Sequence, residues 1–165
     1  MPDAAAPASL LLEDEAATAR LGGAIARVLA KGDAVCLSGP LGAGKSTLAR
    51  ALIRALTSPE EEVPSPTFTL VQSYEGQGPD GAALPLAHFD LYRLSNPDEA
   101  YEIGLDEALE EGAALIEWPE RLEGRLPPDR LDIEIGFALV AGGEGRVARL
   151  NPHGAWQARL KDVLV

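Results

Sequence analysis

Residues 39 to 46 read Gly-Pro-Leu-Gly-Ala-Gly-Lys-Ser, and no other stretch restricts the chain as strongly. Gly39, Gly42 and Gly44 let successive backbone N–H groups turn inward without Cβ clashes, which creates a concave set of donors for phosphate oxygens. Lys45 then brings a point positive charge to β and γ phosphates, and the Ser46 hydroxyl is a ligand for Mg²⁺. The N-terminus of a following helix would add the favourable end of its dipole. The flanks supply that context. Ala34 to Ser38 is a short apolar run ending at Gly39, and Leu48, Leu52, Ala55 and Leu56 resume helical spacing until Pro59. Lysine occurs only at positions 31, 45 and 161, so Lys45 inside a glycine-rich loop is unlike ordinary surface decoration.

The rest of the chain reads as one α/β unit. A length of 165 residues with 46% hydrophobic and 24% charged residues suits a single globular domain. Met1 to Leu12 has no basic leader, and Leu10-Leu11-Leu12 is too short for a membrane span, so residues 1–12 are expected to be a flexible tail and 13–165 the domain. No membrane association is expected. Cys36, the single cysteine, lies in an apolar run and reads as a buried small hydrophobe, in keeping with a cytoplasmic setting.

From Glu13 the spacing of Ala17, Leu21, Ile25, Val28 and Leu29 predicts a helix closed by Gly32. Phe68 to Tyr74 reads as a strand, Gly76 to Gly81 as a turn, and Leu84 to Phe89 as a strand delivering Asp90. Ser95 to Glu99 opens short helical pieces running to Glu111, and the apolar run 113–116 is a doubly covered strand carrying Glu117 at its end. Residues 131–140 and 146–150 read as an antiparallel hairpin, and 155–164 as a closing helix. Together they predict helices covering a mostly parallel sheet with antiparallel strands added at its margin.

A magnesium ion held by one hydroxyl needs further oxygen ligands, normally a carboxylate at a neighbouring strand end. Asp90 and Glu117 are both placed for this, and the pattern leaves the choice open. Ser65-Pro66-Thr67-Phe68-Thr69 occupies the interval in which many phosphate-loop proteins keep a segment sensing the γ phosphate. An Asn-Lys-x-Asp loop for guanine is missing, which favours ATP over GTP. His88 and His153 have no partner at metal-ligand spacing, so structural or surface roles are expected for them. The formal net charge of -12 disfavours direct binding to nucleic acid, which depends on neutralising phosphates with Lys and Arg.

Four ordered motifs, Gly-Pro-Leu-Gly-Ala-Gly-Lys-Ser-Thr, Ser-Pro-Thr-Phe-Thr-Leu, His-Phe-Asp-Leu-Tyr-Arg-Leu and Ile-Glu-Trp-Pro-Glu, resemble the TsaE (YjeE) family from residue 13 to about residue 150. That family is the P-loop ATPase of bacterial tRNA threonylcarbamoyladenosine biosynthesis. The resemblance implies a three-layer P-loop NTPase fold, ATP or ADP with Mg²⁺ as ligand, and slow intrinsic hydrolysis. It also implies work with TsaB and TsaD, tRNA being reached only indirectly through that complex.

Motif by motif, it implies that Leu41, Gly42, Ala43, Gly44, Lys45, Ser46 and Thr47 hold the phosphates, and that Ser46 and Glu117 hold the metal. Thr67 would belong to the first switch, and Asp90 would stand near the γ phosphate and the attacking water, so that Lys45, Thr67 and Asp90 form the catalytic set. Trp118 is expected beside the nucleotide, Arg93 at phosphate or a partner, and Glu15 and Thr18 near adenine. Pro40 departs from the polar residue expected there; it removes a backbone donor and fixes φ. A small-molecule kinase or a nucleotide-gated binding module would use the same loop. A kinase, however, would need an acceptor pocket and usually a lid bearing several basic residues, and the segment after Asp90 offers few. Replacement of Lys45 by Ala is expected to abolish productive ATP binding, because it removes the loop's only charge facing the β and γ phosphates. Unchanged nucleotide affinity and turnover would overturn the phosphate-loop reading.

Overall fold

The computed structural model describes residues 7–40, 42–66, 69–140 and 143–164. In chain order the elements are β1 (Ala8–Leu12), α1 (Glu15–Val28), β2 (Ala34–Ser38), α2 (Lys45–Leu56), β3 (Val71–Gln77), β4 (Ala83–Asp90), α3 (Asp98–Glu102), α4 (Leu105–Glu111), β5 (Ala113–Glu117), β6 (Arg130–Val140), β7 (Gly143–His153) and α5 (Trp156–Val163). A 3₁₀ turn, Pro119–Leu122, follows β5.

The apolar runs at β2 and β5 lie at the centre of the sheet, as runs without polar alternation should. The strand order is β1-β7-β6-β2-β5-β4-β3. β2 pairs in parallel with both β5 and β6, and β5 pairs in parallel with β4. The pairs β1–β7, β6–β7 and β3–β4 are antiparallel. The parallel part is thus the four-strand centre, and antiparallel pairing closes both margins rather than one. β6, the first strand of the expected hairpin, is itself a parallel neighbour of β2.

Two apolar clusters divide the core. Residues of α1, α2 and α5 join one side of the sheet strands in the larger, which contains Ile25, Leu37, Leu52 and Trp156. The smaller joins Cys36, Phe89 and Ile116 to Ala100 and Leu105 of α3 and α4. Helix α1 starts where Asp14 accepts a hydrogen bond from the Ala17 N–H at 2.8 Å, an N-cap that satisfies an otherwise orphaned donor. It crosses α2 at Gly22, where a Cβ would come within 2.8 Å of the Ala51 Cβ and 2.9 Å of the Leu52 backbone nitrogen.

Three expectations need correction. Residues 8–12 belong to the sheet, not to a flexible tail: β1 pairs with β7 from Ala8 opposite Leu150 to Leu12 opposite Arg146. Ala8, Leu10 and Leu12 pack on the larger cluster while Leu11 is exposed, the alternation of a half-buried strand. Residues 1–6 lie outside the described residues. β3 begins at Val71, because Leu70 takes a left-handed φ of 69° and its N–H donates to the Pro66 carbonyl at 2.7 Å. Phe68 lies outside the described residues. β3 also runs through Gly76, which the sequence pattern assigns to a turn; a Cβ at Gly76 would come within 2.7 Å of the Leu84 carbonyl oxygen on β4. The helical region before β5 is broken at Gly104, whose φ is 101°.

At the base of the sheet Asp33 is buried and accepts from the Ala30 N–H at 2.7 Å and from the Arg159 guanidinium of α5. Arg159 also donates to the Val28 carbonyl at 3.4 Å, so one side chain ties α5 to the α1–β2 connection. Burial raises the Asp33 pKa above the ordinary carboxylate value although Arg159 acts to lower it. Changing Arg159 to Leu strips the partner from a buried charge and is expected to cost roughly 3 kcal/mol at neutral pH. The change pushes the folded-state pKa of Asp33 further above its unfolded value. The loss is therefore complete above the folded-state pKa of Asp33 in the variant and fades as pH falls from that value toward the lower, though still raised, folded-state pKa of the unaltered protein. Urea denaturation across that range measures it, and a pH-independent deficit would contradict the assignment.

Candidate functional site

The site is built at the carboxyl ends of three adjacent parallel strands. The β2–β5 register sets Leu37 beside Glu117, and the β4–β5 register sets Asp90 beside Glu117. Beyond the strand ends the ladder continues, with the Leu91 N–H donating to the Glu117 carbonyl at 3.1 Å and the Trp118 N–H donating to the Leu37 carbonyl at 3.3 Å. Period-two alternation puts Asp90 and His88 on the face of β4 that carries Leu84 and Leu86, and Glu117 on the face of β5 that carries Ala113 and Leu115. Those four apolar residues share the cluster with Leu48 and Leu52 of α2. The carboxylates therefore stand on the side of the sheet covered by the glycine-loop helix.

The loop before α2 bends as its glycines allow. Gly39, Gly42 and Gly44 have φ values of 135°, 80° and 109°. Gly39 is required twice over, since a Cβ there would also drive into the Ile135 carbonyl oxygen of β6. Pro40 is exposed and its carbonyl accepts from the Ala43 N–H at 3.2 Å, so the proline is accommodated within the turn. Leu41 lies outside the described residues.

Lys45 opens α2 and is buried. Its Nζ donates to the Gly39 carbonyl at 2.7 Å and stands 3.9 Å from the centroid of the Trp118 ring. A desolvated ammonium over an indole face is a favourable cation–π pair. Trp118 reaches this position from a left-handed backbone, φ 60°, at the entry to the 3₁₀ turn, and its ring meets Tyr92 at 4.9 Å between centroids. Ser46 is exposed beside Lys45, and Thr47 is half-buried.

The contacts around the two carboxylates are polar. Asp90 accepts from the Tyr92 N–H at 3.1 Å, and its own N–H donates to the Leu70 carbonyl at 2.9 Å. His88 is buried rather than superficial, and its Nε2 lies 2.7 Å from Glu117 Oε2. His153 pairs instead with Asp132 at 3.0 Å, on β6. Arg93 is exposed and Thr67 lies outside the described residues.

A cleft of about 280 Å³ adjoins the loop, lined by Asp14, Glu15, Thr18, Gly42, Thr47 and Arg146 among others. It brings Glu15 and Thr18, at the start of α1, to the glycine loop. Arg146 was not singled out from the sequence. Its Nη2 donates to the Gly42 carbonyl at 3.2 Å across 104 residues of chain, and its guanidinium lies 4.6 Å from the Phe137 ring. No local pattern announces such a contact.

The side chains suit a hard cation, since the Ser46 hydroxyl and the Asp90 and Glu117 carboxylates offer only oxygen. Among the described residues no group of three or more His, Cys, Asp or Glu could hold a metal by itself. A Mg²⁺ ion here would complete its shell with phosphate oxygens and water, as this ion does at nucleotide sites. Cys36 belongs to the other core cluster, and burial pushes its thiol pKa up, so it contributes no thiolate.

A family model described as "Threonylcarbamoyl adenosine biosynthesis protein TsaE" matches residues 12–139. The Bacillus subtilis tRNA threonylcarbamoyladenosine biosynthesis protein TsaE is 40% identical over 124 residues, 74% of this chain and 72% of its own. The Nostoc protein of the same description is 38% identical over 150 residues, covering 87% and 85% of the two chains. The Rickettsia felis one is 36% identical over 126 residues, covering 76% and 71%. The crystal structure of Bacillus subtilis YdiB superposes with a TM-score of 0.73 at 28% identity, over 99% of this chain and 97% of that one.

Trp118, set against Lys45, is the natural reporter of this site, whereas Trp156 is fully buried in α5. Addition of ADP with Mg²⁺ is expected to change the intrinsic fluorescence, and Trp118→Phe should remove that response. A response that survives the substitution would show that Trp118 is not the reporter.

Proposed function

The chain belongs to the TsaE family of threonylcarbamoyl adenosine biosynthesis proteins, and from that premise we propose that it is a P-loop ATPase that binds ATP with Mg²⁺ and hydrolyses it slowly. One observation carries the reading: a buried lysine at the first turn of α2, held between a loop carbonyl and an indole, on the side of the sheet where two strand-end carboxylates stand. Among the described residues no carboxylate is in hydrogen-bond contact with this ammonium, and a buried ammonium so placed is costly unless it serves an anion. Phosphate oxygens supply that anion, with the N–H groups from Gly42 to Thr47 and the helix dipole around them.

In this reading Ser46 and Glu117 bind Mg²⁺, and Asp90 stands near the γ phosphate and orders the attacking water. The nucleoside half occupies the cleft between the start of α1 and Arg146, which supports ATP and ADP as the ligands. The helices packed on the two faces of the sheet support reading the fold as a three-layer P-loop NTPase. The protein acts with TsaB and TsaD in tRNA threonylcarbamoyladenosine biosynthesis, where hydrolysis supports turnover of the complex and Thr67 couples the γ phosphate to the interface. No helix among the described residues is long and apolar enough to cross a membrane.

The net charge of -12 bears on the partner. A polyanion does not gain from counterion release on another polyanion, so contact with tRNA runs through the protein complex. Phosphate release should be slow for the chain alone and should respond to TsaB with TsaD. Pull-down of that pair should succeed with a non-hydrolysable ATP analogue and weaken without nucleotide, while a mobility-shift titration at moderate salt shows no complex with tRNA alone. Partner binding indifferent to nucleotide, or tight tRNA binding by the isolated chain, would defeat this mechanism.

A further inference from the structure

His88 is a polar side chain at the core of the sheet, 3% exposed, two residues before Asp90 on the same face of β4. Its Nε2 lies 2.7 Å from Glu117 Oε2, a buried contact between neighbouring strands. Its Nδ1 is buried and has no hydrogen-bond partner among the described residues. This pattern assigns the tautomer. With the proton on Nε2, the ring donates to the carboxylate and leaves only a lone pair unmet, whereas a proton on Nδ1 would bury an unmade N–H and set a lone pair against a carboxylate oxygen.

The packing also restricts Glu117 itself. It is 6% exposed, at the end of a strand whose other residues are all apolar and buried. Once Oε2 is taken by the imidazole, Oε1 is the oxygen left for another partner, and the carboxylate's rotation about its terminal bond is no longer free. Oxygen ligands to metals are held in this way by hydrogen bonds from behind. A histidine serving only as core filler would be expected to satisfy both ring nitrogens or to give way to an apolar residue.

We propose that His88 is a positioning residue for Glu117, whose Nε2–H bond to Oε2 fixes the carboxylate so that Oε1 is presented to Mg²⁺ on the bound nucleotide. The inference rests on the reading of Glu117 as a magnesium ligand. It predicts a defect in metal coordination rather than in nucleotide binding as such.

Three substitutions separate this role from packing. Gln carries its amide nitrogen at nearly the reach of imidazole Nε2, Asn carries it one bond short, and Leu has no donor. Isothermal titration of ADP into the full-length protein, once with MgCl₂ and once with EDTA, gives the ratio of the two affinities for each variant. His88→Leu and His88→Asn are expected to lower that ratio by about ten- to a hundredfold, the usual loss when a ligand's supporting hydrogen bond is removed. His88→Gln should hold the ratio close to that of the unaltered protein, and affinity in EDTA should stay nearly constant throughout. In a Glu117→Gln background, His88→Leu should cause no further loss.

Equal ratios for Asn, Gln and the unaltered protein would overturn the inference, as would equal losses with and without Mg²⁺. If His88→Leu fails to fold, as circular dichroism would reveal, the Asn and Gln pair decides alone, since both are polar and differ chiefly in reach. The premise has its own arm. Should the unaltered protein and Glu117→Gln show the same ratio, the metal role of Glu117 falls and this inference falls with it; should they differ while the His88 variants do not, only the positioning role falls.

Discussion

The parallel register of β4, β5 and β2 is the constraint on which the chemistry depends. It aligns Asp90, Glu117 and Leu37 side by side and carries the backbone ladder one residue further, through Leu91 and Trp118. Side chains alternate with period two, so a slip of one residue would send Glu117 to the opposite face, among the residues packed on α3 and α4. Nothing in the glycine loop could compensate. The loop in turn is pressed onto the sheet at Gly39, where only a glycine admits the Ile135 carbonyl of β6.

Burial gives the site its electrostatic character. Lys45, His88, Asp90 and Glu117 are all nearly inaccessible, and the four come from two strands and one helix. Each polar contact is short-ranged and specific: Lys45 to a carbonyl and an indole, Glu117 to an imidazole, Asp90 to a backbone N–H. Charges in a low-dielectric pocket interact more strongly than on the surface, so the buried Lys45 ammonium is screened far less than the acidic surface of a protein of net charge -12.

The cleft beside the glycine loop has a different origin. It lies where the N-cap of α1, the glycine loop and the β6–β7 hairpin converge, and Arg146 bridges the last two. β1 contributes by setting Leu12 opposite Arg146. A segment that looks dispensable in the sequence thus helps form one wall of the cleft.

Much of this was legible in the residues alone. The left-handed φ values of Gly39, Gly42 and Gly44, the strand before them and the periodic helix after them are local properties, set by sterics and by spacing over a few residues. The strand-end positions of Asp90 and Glu117 followed in the same way, from apolar runs that stop. The pairing of β1 with β7, the span of β3 through Gly76, the reach of Arg146 to Gly42 and the burial of His88 against Glu117 were decided only by the tertiary structure. Each joins residues far apart in the chain, and their partners are selected by packing and register rather than by neighbours in sequence. For Gly76 the local signal even points the wrong way, to a turn, and for His88 it leaves a structural and a surface role equally open, of which burial excludes the second. A glycine needed for close strand approach and a histidine paired with a buried carboxylate look ordinary until the neighbouring strand is in place.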